Sequence, residues 1–68
     1  MSTSTYTVTG MTCEHCVASV TEEVSELDGV QAVQVDLPTG AVTVTSTDPL
    51  PEDAVRTAVE EAGYQLAG

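Results

Sequence analysis

Apolar and polar residues alternate at the start of this chain, where Tyr6 and Val8 stand between Thr5, Thr7 and Thr9. A period of two marks a half-buried strand, so the pattern predicts one over Thr5–Thr9. Gly10 ends it, and Met11 to Cys13 form a short loop. From Glu14 to Leu27 the period becomes that of a helix. Val17, Val20, Val24 and Leu27 make one apolar stripe, and Glu22, Glu23 and Glu26 lie mostly away from it. Thr12 is the expected N-cap, Glu14 suits the positive end of the helix dipole, and Asp28-Gly29 supplies the stop.

Two strands follow, Val30–Leu37 and Ala41–Ser46, joined at Pro38-Thr39-Gly40. Val33, Val35 and Leu37 alternate with Gln34 and Asp36, and Val42 and Val44 alternate with Thr43 and Thr45. The step from Val30 to Val33 is out of phase and predicts a bulge or a late strand start. A second helix fits Pro51–Ala62, with proline at its first position and Glu52 and Asp53 in its first turn. Val55, Ala58, Val59 and Ala62 form its stripe. Glu52 and Arg56 make an i,i+4 pair worth about 0.3–0.5 kcal/mol on a surface. Gly63 ends the helix, and Tyr64–Ala67 is the last strand. The order is β-α-β-β-α-β. Right-handed crossovers turn it into an α+β, ferredoxin-like sandwich, a four-stranded antiparallel sheet with both helices on one face.

Composition narrows the picture. A chain of 68 residues is enough for one domain, 1–68, with one modest core, the size at which a metal or a disulfide often adds needed stability. Two cysteines do not make a disulfide framework. Met1 to Thr9 lacks the basic flank and apolar run of a secretory signal, and no apolar run could span a bilayer. The expectation is a cytoplasmic protein whose thiols are free. The formal net charge of −10, with one arginine and no lysine, excludes nucleic acid and anionic membrane surfaces as partners. It leaves two readings of the acidic surface: solvation of the fold, or steering towards a basic partner.

The candidate chemistry is Gly10-Met11-Thr12-Cys13-Glu14-His15-Cys16, between the first strand and the first helix. The thiols converge if Cys13 stays on the loop and Cys16 enters the opening turn, where unpaired N–H groups and the helix dipole stabilise a thiolate. Two soft thiolates select Cu(I), which accepts low coordination, whereas structural Zn²⁺ takes four ligands. His15 lies between the two cysteines and does not easily reach the same ion. C-x-x-C alone is shared with thioredoxin-type redox motifs.

Placed in this order of elements, the string resembles the heavy-metal-associated domain family, which includes bacterial copper chaperones and the N-terminal domains of copper-transporting P-type ATPases. The likeness runs from Thr5 to Ala67. It implies that Cys13 and Cys16 bind Cu(I) and that Met11 tucks into the core beneath the loop. Gly63-Tyr64 is similar to bacterial chaperones, in which the tyrosine lies near the metal loop. The absence of lysine departs from many relatives, so details of their partner surfaces do not transfer.

Met11 reads as a core anchor, with thioether ligation the lesser reading. His15 reads as an exposed loop neighbour, open to tuning the thiolates or to serving as a third ligand when two molecules share copper. Tyr64 reads as half core and half lid, and Thr12 as the cap that shapes the loop. The expected function is that of a copper chaperone, not an enzyme. It would be monomeric, with a copper-bridged dimer possible, and would pass Cu(I) by thiolate exchange to a copper-exporting P-type ATPase or its metal-binding domain. The alternatives are a thiol–disulfide redox protein and a mercury- or zinc-binding module of the same family.

Overall fold

A computed structural model describes residues 1–67 of the chain. Its elements are β1 (Ser2–Thr9), α1 (Glu14–Ser25), β2 (Val30–Asp36), β3 (Ala41–Ser46), α2 (Glu52–Glu61) and β4 (Gln65–Leu66). The strands form one sheet in the order β2-β3-β1-β4, with every neighbouring pair antiparallel. Helix α1 packs over β2 and against α2, which covers β4. This is the ferredoxin-like sandwich expected from the alternating periods.

Valine dominates the core. Val8, Val42 and Val44 from the sheet meet Val20 and Val24 of α1 and Val55, Ala58 and Val59 of α2, all buried. Tyr6, Val33, Val35 and Leu66 are half-buried on the same side of the sheet and extend this layer. The other face carries the intervening threonines, and the hydroxyls of Thr5 and Thr43 lie 3.3 Å apart across the β1–β3 pair. Buried Ser46 donates its hydroxyl to the Asp48 carbonyl at 2.6 Å, so the one buried polar residue among the described residues is satisfied.

The elements differ from expectation at their ends, each for a local reason. Strand β1 begins at Ser2, because Ser2–Ser4 pair with Val44–Ser46 even though their side chains show no apolar alternation. Helix α1 stops at Ser25 with Glu26 as C-cap. Leu27 lies past the helix, donates its N–H to the Val24 carbonyl at 3.1 Å, and still packs on the core. Val17 is half-buried and lies outside the core cluster, so the stripe of α1 narrows to Val20 and Val24. The irregularity in β2 is real, a register shift between Val30 and Ala32.

Strand β2 ends at Asp36, whose carbonyl is taken by Gly40 N–H in the turn, which leaves Leu37 outside the ladder. Pro51 precedes the first turn of α2 as its N-cap, with φ −63° and ψ 138°. Its carbonyl receives the N–H of Ala54 and Val55. Strand β4 is limited to two residues.

Candidate metal centre

The site forms where β1 hands over to α1. Cys13 is extended (φ −155°, ψ 174°) and is itself the N-cap, its carbonyl accepting the N–H groups of Cys16 at 3.1 Å and Val17 at 3.2 Å. Thr12 was the expected cap and is not. It lies one residue too early, and its hydroxyl sits 3.9 Å from the Cys16 sulfur. No side chain caps this helix end, so first-turn donors remain available to an anion. Because Cys13 starts the turn and Cys16 closes it, the two sulfurs converge to 3.6 Å. Both are free thiols; Cys13 is exposed and Cys16 partly covered.

The two sulfurs are not equivalent. The Cys16 thiol is lowered from 9.0 to about 6, first by the main-chain N–H of Thr12, then by the Tyr64 hydroxyl and the main-chain N–H of Cys13. Partial burial opposes the shift without cancelling it. The same contact acts in reverse on Tyr64, whose phenol is raised, chiefly by its hydrogen bond to Cys16. Tyr64 reaches this position because α2 ends beside the loop: Gly63 N–H binds the Glu60 carbonyl at 3.0 Å and Tyr64 N–H binds that of Val59 at 3.1 Å. The ring is half-buried against the core. Tyr64 is therefore both core residue and cover for the sulfur.

Met11 is half-buried and packs on the core from beneath the loop. His15 is exposed in the first turn of α1, not in the loop; its carbonyl accepts the Ser19 hydroxyl at 3.1 Å. Among the described residues no group of three or more His, Cys, Asp or Glu converges in a way that could hold a metal ion. The two converged thiols could hold a soft ion of low coordination number, and by themselves they fall short of a four-ligand structural zinc site. The places of Cys16 in the opening turn and of Tyr64 near the loop were expected from the sequence; the direction of the Thr12 and Cys13 amides towards the Cys16 sulfur was not.

The heavy-metal-associated domain matches this sequence over residues 5–65, from β1 through the first residue of β4. The chain belongs to that family. Among the relatives of this heavy-metal-associated domain, the copper chaperone CopZ of Bacillus subtilis is 43% identical over 68 residues, covering 98% of this chain and 99% of that protein. A solved structure of a CopZ metallochaperone superposes with a TM-score of 0.90 at 31% identity, covering 97% of this chain and all of that one. Human copper-transporting ATPase 2 is 35% identical over 67 residues, which are 97% of this chain but 5% of the ATPase. The same fold thus occurs both free-standing and inside a transporter.

Proposed function

We propose that this heavy-metal-associated domain is a cytoplasmic copper chaperone, which carries Cu(I) on Cys13 and Cys16 and passes it to a thiol-bearing acceptor. The observation that carries the reading is the pair of sulfurs 3.6 Å apart, one of them exposed, at an uncapped helix start. The full-length likeness to a Bacillus copper chaperone supports copper as the cargo. The likeness to a segment of a copper-transporting ATPase supports an acceptor of related fold. No helix among the described residues is long and apolar enough to cross a membrane.

Each part of the site has a task in this reading. Cys16 binds as a thiolate near neutral pH, held in that form by the amides of Thr12 and Cys13 and by Tyr64. Cys13 lies outermost and is where an acceptor's thiolate first displaces a ligand. A new sulfur–copper bond forms at the acceptor, the Cys13 bond breaks, and the second exchange releases Cys16. No proton donor, base or enclosed cavity is required, and the protein is not an enzyme. Met11 anchors the loop, and His15 stays at its rim.

One observation also fits a second reading. A Cys16 thiol lowered to about 6, facing Cys13, has the character of a nucleophile for disulfide exchange. A transfer assay separates the two. Copper-loaded protein is mixed with the isolated metal-binding domain of a copper-transporting ATPase, and copper is followed by separating the partners. Transfer within the mixing time supports the chaperone. Copper retained by the donor, together with metal-free turnover of a disulfide substrate, favours the redox protein.

A further inference from the structure

The two edges of the sheet are unequal. On one side β4 and the residue after it cover β1 where it approaches the metal loop. The other edge, β2, has no neighbouring strand among the described residues, and its Val30-Gln31-Ala32-Val33-Gln34-Val35 run carries no charge, proline or glycine. The direction of its free main-chain groups follows from the ladder. Val8 N–H donates to the Gly40 carbonyl on the β3 side, so even-numbered residues of β1 face β3. Tyr6 pairs with Val42, which places Thr43 towards β2 and opposite Gln34. The N–H and C=O groups of Val33 and Val35 therefore point outward, while their side chains stay half-buried under α1.

We propose that this open edge is a self-association surface, on which a second copy adds its own β2 antiparallel about a two-fold axis at Gln34. In that register Val33 faces Val35 of the second copy and exchanges two hydrogen bonds, and the symmetric pair adds two more. Asp36 then meets Ala32 and not another Asp36. The register shift between Val30 and Ala32 lies outside the paired stretch. Edge strands that stay solitary are guarded by charge, proline or bulges within the strand, and the centre of β2 has none.

Charge selects the occupant. Of the eleven acidic residues only Asp36 lies in a strand. A second copy of a chain at −10 thus meets least repulsion at this flank. The α1 side that borders the edge carries Ala18, Thr21 and Ser25, small and uncharged, with Glu14 in its first turn. Cys16 lies on the opposite side of α1: Glu23, seven residues on and so on the same face, is close enough to Glu61 of α2 to feel its charge. Self-association therefore leaves the thiols open and needs no metal. Each copy still carries a net charge of −10, so association strengthens as salt screens their repulsion.

Sedimentation of the metal-free, reduced chain over a concentration series, at low and high salt, tests this. A monomer–dimer equilibrium whose midpoint falls as salt rises is expected. Gln34→Glu, which sets like charges directly opposite, should raise that midpoint by about tenfold without changing the circular dichroism spectrum. Gln34→Cys, placed in a chain with Cys13→Ser and Cys16→Ser, should form a disulfide-linked dimer under mild oxidation, because such non-hydrogen-bonded antiparallel pairs meet the geometry a disulfide needs. Thr43→Cys in the same background should not. A chain that stays monomeric at about 1 mM in high salt overturns the proposal. So does a dimer indifferent to Gln34→Glu, a dimer that appears only with copper, or growth of fibrils in place of a dimer.

Discussion

Tyr64, just past the end of α2, and Cys16, in the first turn of α1, polarise each other: the phenol hydroxyl lowers the thiol and is itself raised. This interaction links the two halves of the chain at the Cys13–Cys16 loop. Removing it in Tyr64→Phe should move the Cys16 thiol up from about 6, though not back to 9.0, because the stronger donor, the Thr12 amide, remains. The rate of thiol alkylation against pH reads this directly. The sign for stability follows. A thiol lower in the folded state than in the unfolded contributes stability that is present above about 9 and lost as pH falls through about 6. The metal-free wild type should therefore gain stability on going from pH 6 to pH 9 more steeply than Tyr64→Phe does.

Glu23 titrates in the other direction. Its carboxyl is raised, chiefly by Glu26, then by partial burial and by Glu61 and Glu22. A carboxyl raised in the folded state favours folding below its unfolded value and loses that contribution as pH rises. Glu26→Gln relieves the largest repulsion and also removes a negative charge from the C-terminal end of α1. It should raise the melting temperature at neutral pH in low salt, and the gain should shrink in high salt. An equal gain at both salt concentrations would show that charge is not its source.

Gly40 turns the β2–β3 hairpin with φ +75°, and a Cβ there would stand 2.6 Å from the Val8 carbonyl oxygen. That oxygen is main chain in a core strand and has little room to move. Gly40→Ala should cost about 2 kcal/mol or more by urea titration. Gly63→Ala, at φ +97° with nothing within 4 Å of the added carbon, should cost about 1 kcal/mol. Equal losses would mean that backbone strain alone, not the approach to Val8, sets the penalty.

Val59 is fully buried between α2 and the sheet. Val59→Ala should cost about 2 kcal/mol and lower the melting temperature by about 10 °C in a chain of this size. Since a ligand that binds only the folded state stabilises it, Cu(I) at about a thousandfold above its dissociation constant should return about 4 kcal/mol. Recovery of the variant's melting temperature on adding Cu(I), measured by calorimetry, checks both numbers.

Much of the fold was legible because each element announces itself by period. Val33 and Val35 alternate, Val20 and Val24 recur at helical spacing, and Gly and Asp or Pro punctuate the joins. The start of β1 was hidden, because Ser2–Ser4 enter the ladder through main-chain pairing that no side chain reports. Leu27 has the spacing of the α1 stripe and packs, half-buried, against the core, yet the chain has already turned, so periodicity overran the helix. At the site, convergence of Cys13 and Cys16 was readable from three-residue spacing at a helix start. The cap was misplaced, because Thr12 is the better capping residue by type while backbone geometry put Cys13 in that position. Tyr64 was expected beside the loop, but the polarisation of Cys16 depends first on the direction of the Thr12 amide, which spacing does not report.

The central claim is that Cys13 and Cys16 together hold Cu(I). Competition titration of Cu(I) against a chromophoric chelator, on the wild type, Cys13→Ser and Cys16→Ser, tests it most directly. The wild type should take one copper per chain, or one per two chains if copper bridges them, from the chelator. Each serine variant should lose affinity by orders of magnitude while keeping its circular dichroism spectrum. Weak binding by the wild type, or tight binding that survives either substitution, would contradict the account.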